Sequence, residues 1–600
     1  MKAKEGGIRF YPVTGRNRDN MAEYLSPGVY VEEFDSGAKP MEGVGTSTAG
    51  FIGLAEKGPV LGVPQLITNF ADFKRTYGGY LSENEFGEYR FLAYAVEHFF
   101  INGGSRCFVS RVAPENAKQA MGSAPENGEE AVRFIAKNPG IWGDRITVSA
   151  SPSSKARTQV LEVLEAGGEK KYRVKNGAGF QPGDVVSFTV KNEDGAVYNR
   201  VVSNQDNVIT FSRPFEEDVV DRDLLPSKVL ATCEINLEVK YEDLAETYEN
   251  VSFNVEAPNY IDKKLAKSDI VIANFVGAAD EDAVSPFDVF TASGSCGAAV
   301  SLSGGSNGSV DSISASDFIG VDNGAGRRTG IQSFLDNDVV SIMAIPGVTD
   351  PNVQLTLVAH CENLGSRFAI LDIPRDSKKV QDVIAHRDIF DSTYAALYHP
   401  WLEVFDPLDK KNAAIPPSGS VAGIYARSDN TRGVHKAPAN EVVRACVGLD
   451  CQFNKGEQDI LNPKGVNLIR VFPGQGIRVW GARTASSDGS WKYINVRRLF
   501  IFIEESIKAN TNWAVFEPND EVLWVRVQRT ISVFLTNLWR QGSLAGTSTD
   551  EAFFVNIGRN TMSQDDIDNG RLICVIGVAP VKPAEFVIFR ITQKTNEAAE

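Results

Sequence analysis

Apolar residues along this chain fall into three textures, and the first is an alternation of strands and helices. TSTAGFIGLAEKGPV at 46–60 is an apolar run of buried-strand type, ended by Gly58 and Pro59. PQLITNFADFKRTYGG at 64–79 predicts a strand, a turn and a short helix. In EYRFLAYAVEHFFINGG, Phe91, Tyr94, Ala95 and His98 recur at i, i+3, i+4 and i+7, and Asn102-Gly103-Gly104 stops the helix they predict. CFVSRV at 107–112 is then a strand. The same alternation resumes later: DVVSIMAIPG (338–347) predicts a buried strand, VQLTLVAHCENLG (353–365) a helix and RFAILDIP (367–374) a strand.

Between 112 and 330 the texture changes to short strands separated by Gly, Asn and Asp turns, among them WGDRITVSA, TQVLEVLEA, NVITFS and TCEINLEVKYED. This is a β-rich pattern. Because α/β alternation brackets it, the expected architecture is a discontinuous α/β core with an inserted β-rich unit. The Ser/Gly-rich stretch 291–330 is expected to be a flexible return path.

The third texture occupies the last hundred residues. YINVRRLFIFIEESIKANTNW predicts a long amphipathic helix and FEPND a turn. A second helix follows, with Leu523, Val527, Ile531, Phe534 and Leu538 on one face. Three strand-type runs, AFFVNIG, RLICVIGVAP and EFVIFRIT, close the pattern, so this part is α+β. Near the other end, YLSPGVYVEEFDSG holds an alternating strand, VYVEE, with too few apolar neighbours to form a core locally. Such a strand is useful only if it pairs with a distant part of this chain or with another chain. The expected units are an atypical extension at 1–20, an arm and linker at 21–45, a core at 46–111 and 331–490, an insertion at 112–330, a C-terminal unit at 491–582 and an arm strand at 583–600. Met21 is an alternative start.

Composition narrows the function classes. Six hundred residues with 42% hydrophobic and 23% charged side chains make a globular, multidomain chain. The net charge of -16 argues against direct nucleic-acid binding, which needs a basic face. No apolar run reaches the 18 to 20 or so residues of a membrane span, and the start lacks the apolar core of a secretory signal, so no membrane insertion and folding in a cytoplasm are expected. Seven cysteines are scattered, and Cys446 and Cys451, with four residues between them and no histidine alongside, make a poor zinc site.

Catalytic motifs are isolated. Gly304-Gly305-Ser306-Asn307-Gly308 fits the nucleophile elbow of serine hydrolases, with His360, His386, His399 or His435 as a distant base, but it lies in Ser/Gly-rich sequence where a glycine turn is the simpler reading. Gly324 to Gly330 mimics a phosphate loop without its lysine. Asp565, Asp566 and Asp568 are better explained by a helix cap begun at Ser563 than by a cation. No catalytic residue, metal ligand or cofactor is expected.

Several long segments resemble the contractile tail sheath family of myophages and related injection systems. They are YLSPGVYVEE, GLAEKGPVLGVPQLITNFADFKRTYGG, NPGIWGDRITV, LSGGSNGSVDSISASDFIG, PWLEVFDP and IPPSGSVAGIYARSDNTRGVHKAPAN, with the strongest match running from INVRRLFIFIEESI to APVKPAEFVIFRI. The resemblance is weakest over 155–290, and His435 stands where many relatives carry an aromatic residue. It implies a structural subunit, not an enzyme, that stacks as hexameric rings around an inner tube protein, contracts, and meets baseplate and terminator or cap proteins. It also implies two inter-subunit arm strands, Val29, Tyr30, Val31, Glu32 and Glu33 at one end and Glu585, Phe586, Val587, Ile588, Phe589, Arg590 and Ile591 at the other. Flexible leads are expected at 35–45 and 579–583. Arg497, Arg498, Glu504, Glu505 and Lys508 are candidates for tube or neighbour contact. An esterase using Ser306 and an adhesin built on the β-rich insertion are the alternatives.

Overall fold

The computed structural model describes residues 41–124, 131–166, 169–189, 196–215, 229–276, 285–291 and 299–588. The first arm strand (29–33), the end of the second (Phe589, Arg590, Ile591) and the 1–20 extension lie outside them.

A nine-stranded sheet forms the centre, with strands from both sides of the β-rich stretch. Ala49–Leu54 pairs in parallel with Cys107–Val112 on one side and with Ile342–Ala344 on the other. Phe368–Asp372, Ala395–His399 and Val466–Phe472 extend the parallel ladder, and antiparallel strands close its edges. Strands such as AGFIGL, FAILD and AALYH are buried at every position because helices cover both faces, which is why they read as continuous apolar runs.

On one face, helix Leu92–Asn102 packs against helix Ser418–Arg432. The sequence S-G-S-V-A-G makes this possible: a Cβ at Gly419 would lie 2.5 Å from the Ala95 backbone, and one at Gly423 would lie 2.4 Å from the Phe99 carbonyl oxygen. Two small residues four apart let the backbones touch. Gly423→Ala is therefore expected to lower stability by about 1–3 kcal/mol through overpacking, read as a drop in the urea midpoint.

The inserted region holds a closed barrel of six strands, with Tyr172, Phe188 and Phe215 in its core, and two smaller sheets around a separate core that includes Trp142, Leu237 and Val239. Arg111 cements the insertion to the centre. Its buried guanidinium donates to the carbonyls of Ala55 (3.0 Å), Gly58 (2.9 Å) and Glu56 (3.3 Å) in the core, and to that of Pro139 (2.9 Å) at the foot of the insertion.

The Ser/Gly-rich stretch departs from the expected flexible path over its described part, 299–330. Ala299–Ser301 is a strand antiparallel to Ile146–Ser153, Met121 and Lys118 form bridges with Ser303 and Ser306, and a capping box at Ser314 and Asp317 starts helix Ala315–Ile319. Glycine and serine serve here as turn and cap residues, which composition alone does not separate from linker residues.

Candidate assembly interface

Two helices and a small sheet make the C-terminal body. Glu521–Arg540 is capped by Asp520, whose carboxylate accepts from the Leu523 N–H at 2.9 Å. Its predicted face, Leu523, Val527, Ile531, Phe534 and Leu538, is buried against helix Ile494–Thr511 and the sheet. That sheet is Phe553–Ile557 antiparallel to Cys574–Val578, in register from Phe553 opposite Val578 to Ile557 opposite Cys574. Among the described residues no third strand joins either edge of this ribbon, which packs on helix Glu521–Arg540.

Residues 42–44 and Glu585 are both tied to helix Ile494–Thr511 or its N-cap, and Glu585 also to the adjoining core. At one end of helix Ile494–Thr511, Asn510 donates to the Glu42 carbonyl at 2.8 Å, Ser506 Oγ accepts from the Val44 N–H at 3.1 Å, and Phe502 lies against Gly43, where a Cβ would come within 2.6 Å of the ring. At the other end, the Glu585 carboxylate accepts from Arg483 at 2.9 and 2.7 Å, Asn462 at 2.7 Å and Tyr493 Oη at 3.1 Å. Burial opposes the Glu585 charge, but these donors outweigh it and hold the carboxyl below its ordinary range. The described parts of both expected flexible leads are thus held to the body. Asn495 also donates to the Val581 carbonyl at 3.2 Å.

Beyond Glu585 the chain leaves the body. Phe586, Val587 and Ile588 are 74%, 69% and 79% exposed and have no strand partner among the described residues. Three consecutive large apolar side chains in water are costly, at roughly 1.5–3 kcal/mol each relative to burial.

The candidate contact residues divide. Arg497 and Arg498, expected at a tube or neighbour contact, are buried within the subunit. Arg498 grips both oxygens of Asp429 at 2.9 and 2.6 Å, and Arg497 stacks 3.7 Å from the Trp491 ring centre. Helical period turns them toward the core, and counting charges along the helix did not resolve that. Glu504 and Lys508 are exposed, and Glu505 pairs with Lys508 at 3.4 Å, a surface contact of small energy. Sequence reasoning missed a second stripe on Glu521–Arg540: Val522, Val525 and Val533 are exposed with Arg526, Arg529 and Arg540. Apolar residues three and eight apart, opposite the core stripe, were the signal.

The esterase constellation does not come together. Ser306 pairs through its backbone with Lys118, and its Oγ accepts from the Gly308 N–H at 3.1 Å. The histidines are bonded elsewhere, His360 with Arg367, His386 with Gln354, and His435 with Ser543. Ser563 and Asp566 form the expected capping box, and Arg328 in the phosphate-loop mimic is paired with Asp322 and Asp336. Among the described residues no helix is long and apolar enough to cross a membrane, and no group of three or more His, Cys, Asp or Glu side chains is placed to hold a metal.

Comparison with known proteins fits this arrangement. Residues 329–485 match the phage tail sheath protein central domain, and residues 486–594 match the phage tail sheath C-terminal domain. The tail sheath protein of Escherichia phage P2 is 25% identical over 293 residues, covering 46% of this chain and 71% of that protein. In fold, the chain is similar to the sheath complex of an extracellular contractile injection system in its contracted state (TM-score 0.50, 21% identity, 96% of this chain and 100% of that one). It is also similar to a sheath tail protein of Listeria innocua (TM-score 0.52, 10% identity, 90% of this chain and 96% of that one). The class is a structural assembly protein. Residues 329–594 carry the central and C-terminal domains of the contractile tail sheath family, and the role they mark is that of a sheath subunit.

Proposed function

We propose that this subunit polymerises as stacked hexameric rings around an inner tube, linked by strands exchanged between neighbours, and that contraction of the polymer drives the tube through a target cell envelope. The observation that carries the reading is the exposed apolar run Phe586–Ile588, which leaves a fixed root at Glu585 beside a sheet with free edges. A strand added to such an edge contributes main-chain hydrogen bonds that do not depend on how the two bodies are oriented, so the link survives rotation and sliding. VYVEE at 29–33 is the partner arm. Contraction needs no nucleotide here: a gain of a few kcal/mol per subunit, from extra buried surface or paired charge, adds over many copies.

The tube or neighbour contact is assigned to Glu504, Glu505 and Lys508 and to the exposed Val and Arg stripe of Glu521–Arg540. The baseplate and a terminator or cap protein close the two ends of the polymer. The working units are the core at 46–111 and 331–490, the insertion at 112–330 and the C-terminal unit at 491–582. Assembly takes place in the bacterial cytoplasm, and the final location is a phage tail or an injection particle. The subunit has no catalytic task.

Deleting residues 21–35 tests the reading. The expected product is a folded subunit, with unchanged thermal unfolding, that forms no tubes in electron micrographs. Normal tubes from that deletion would sink the strand-exchange link.

A further inference from the structure

Beside the Glu585 root lies a cleft of about 410 Å³ in the core, lined by Arg387, Asp388, Lys464 and Arg483 among others and edged by Lys492 of the C-terminal unit. Arg387 forms its floor. Its guanidinium is buried and donates to the carbonyls of Lys464, Phe390 (2.7 Å) and Ala485 (2.6 Å), while its nearest carboxylate, Asp388, is 3.9 Å away and exposed. The charge is therefore held in place by backbone dipoles without a hydrogen-bonded counter-ion. Lys464 and Lys492 are in no ion pair among the described residues, and Lys492 lies over the Tyr493 ring at 4.8 Å. Two carboxylates oppose this charge: Asp388, which lines the cleft itself, and nearby Asp391, which is engaged by the N–H and Oγ of Ser487 at 2.8 and 2.7 Å. Among the described residues the cleft therefore keeps two unpaired lysines, Lys464 and Lys492, in a chain of net charge -16. Its rim already binds a carboxylate, that of Glu585 on Arg483.

We propose that the open part of this cleft seats the acidic tail Asn596-Glu597-Ala598-Ala599-Glu600 of a second copy. The proposal rests on the reading that strand 585–592 is lent to a neighbour. Residues 593–600 follow that strand and span up to about 26 Å when extended. The stretch from the recipient's own sheet to its cleft, Ala579–Glu585, is one residue shorter than this tail. Glu597 and Glu600 then face Lys464 and Lys492, with Arg387 beneath. Paired charges at such a site set register and suppress wrong partners more than they add affinity. The strand gives adhesion, and the tail reports that the strand has docked fully.

The test uses full-length protein in two purified variants, Lys464→Glu with Lys492→Glu, and Glu597→Lys with Glu600→Lys. Lys464 and Lys492 lie outside the buried core, and thermal unfolding checks that each variant folds. Each variant alone is expected to need about tenfold more protein to form tubes, a loss of about 1.4 kcal/mol per contact. Mixing the two variants is expected to restore tube formation, because each tail then meets a cleft of opposite charge. Unimpaired tubes from both variants would overturn the seat. So would recovery only when all four changes share one chain, which marks a contact within a subunit. Deleting 585–592 while keeping the tail reports on the arm alone. Tubes from that deletion overturn the arm reading and the seat with it. No tubes there, together with normal tubes from both charge variants, overturns the seat only.

Discussion

Asp429→Asn is expected to destabilise the subunit by about 3–5 kcal/mol, because it leaves the Arg498 guanidinium buried without its counter-charge. The pair is bidentate, both side chains are almost fully enclosed, and the cation also lies over the Tyr425 ring at 4.7 Å. Asp429 further accepts from Thr46 Oγ1 at 2.7 Å, and Arg498 donates to the Thr46 carbonyl at 2.9 Å. One substitution therefore loosens three segments: the central helix Ser418–Arg432, the C-terminal helix and the start of the core at residue 46. A double replacement, Asp429→Leu with Arg498→Met, removes both charges and is expected to recover most of the loss, since two apolar groups leave nothing unpaired. Urea unfolding of the three proteins measures this. A loss under about 1 kcal/mol for Asp429→Asn would show that water reaches the pair.

Acidification from pH 6.5 toward 4 is expected to produce the second large effect, a steep fall in stability. His98, His360, His386 and His399 are buried, and burial lowers each from 6.5 to about 4. Between those values the unfolded chain binds more protons than the folded one, so stability rises with pH across the window and is lost as pH falls through it. Each shift of this size corresponds to about 3 kcal/mol at full effect. His360 carries an extra penalty, because Arg367 donates to its Nε2 at 3.1 Å and a proton there would set two cations together. Asp372 opposes the trend. Burial pushes its carboxyl up to about 6, despite donation from Ser418 and Gly347, so the stability it withholds at neutral pH returns on acidification. Burial also raises Glu234 and Glu504, and these carboxyls only partly offset the four imidazoles. The urea midpoint should fall continuously from pH 6.5 to 4.5, and a flat profile would contradict neutral burial of these histidines.

The elements that sequence reasoning read well are those whose period is enforced by burial on one side. The stripe from Leu523 to Leu538, the helix through Phe91 and His98, and the all-apolar strands of the central sheet belong to this group. Reading failed where polar residues do structural work. The Ser/Gly-rich stretch looked like a linker, but its glycines turn and its serines cap. Arg497 and Arg498 looked like surface charges because charge is an ordinary surface signal, yet their positions face Trp491 and Asp429. The roots of the arms were legible only as composition. No pattern in the sequence ties Glu42 to Asn510 or Glu585 to Arg483, since those pairs are 468 and 102 residues apart.

The two roots sit at opposite ends of the same helix, Tyr493 holding one and Asn510 the other. Seventeen residues of helix separate them, about 26 Å. In a polymer joined by its arms, tension entering through one arm crosses this single strut and leaves through the other. The inserted barrel then rides beside the load path, while Arg483 and Asn462 pass part of the load at the Glu585 root into the core. A cable of such struts stays continuous while the bodies attached to it swing to new positions.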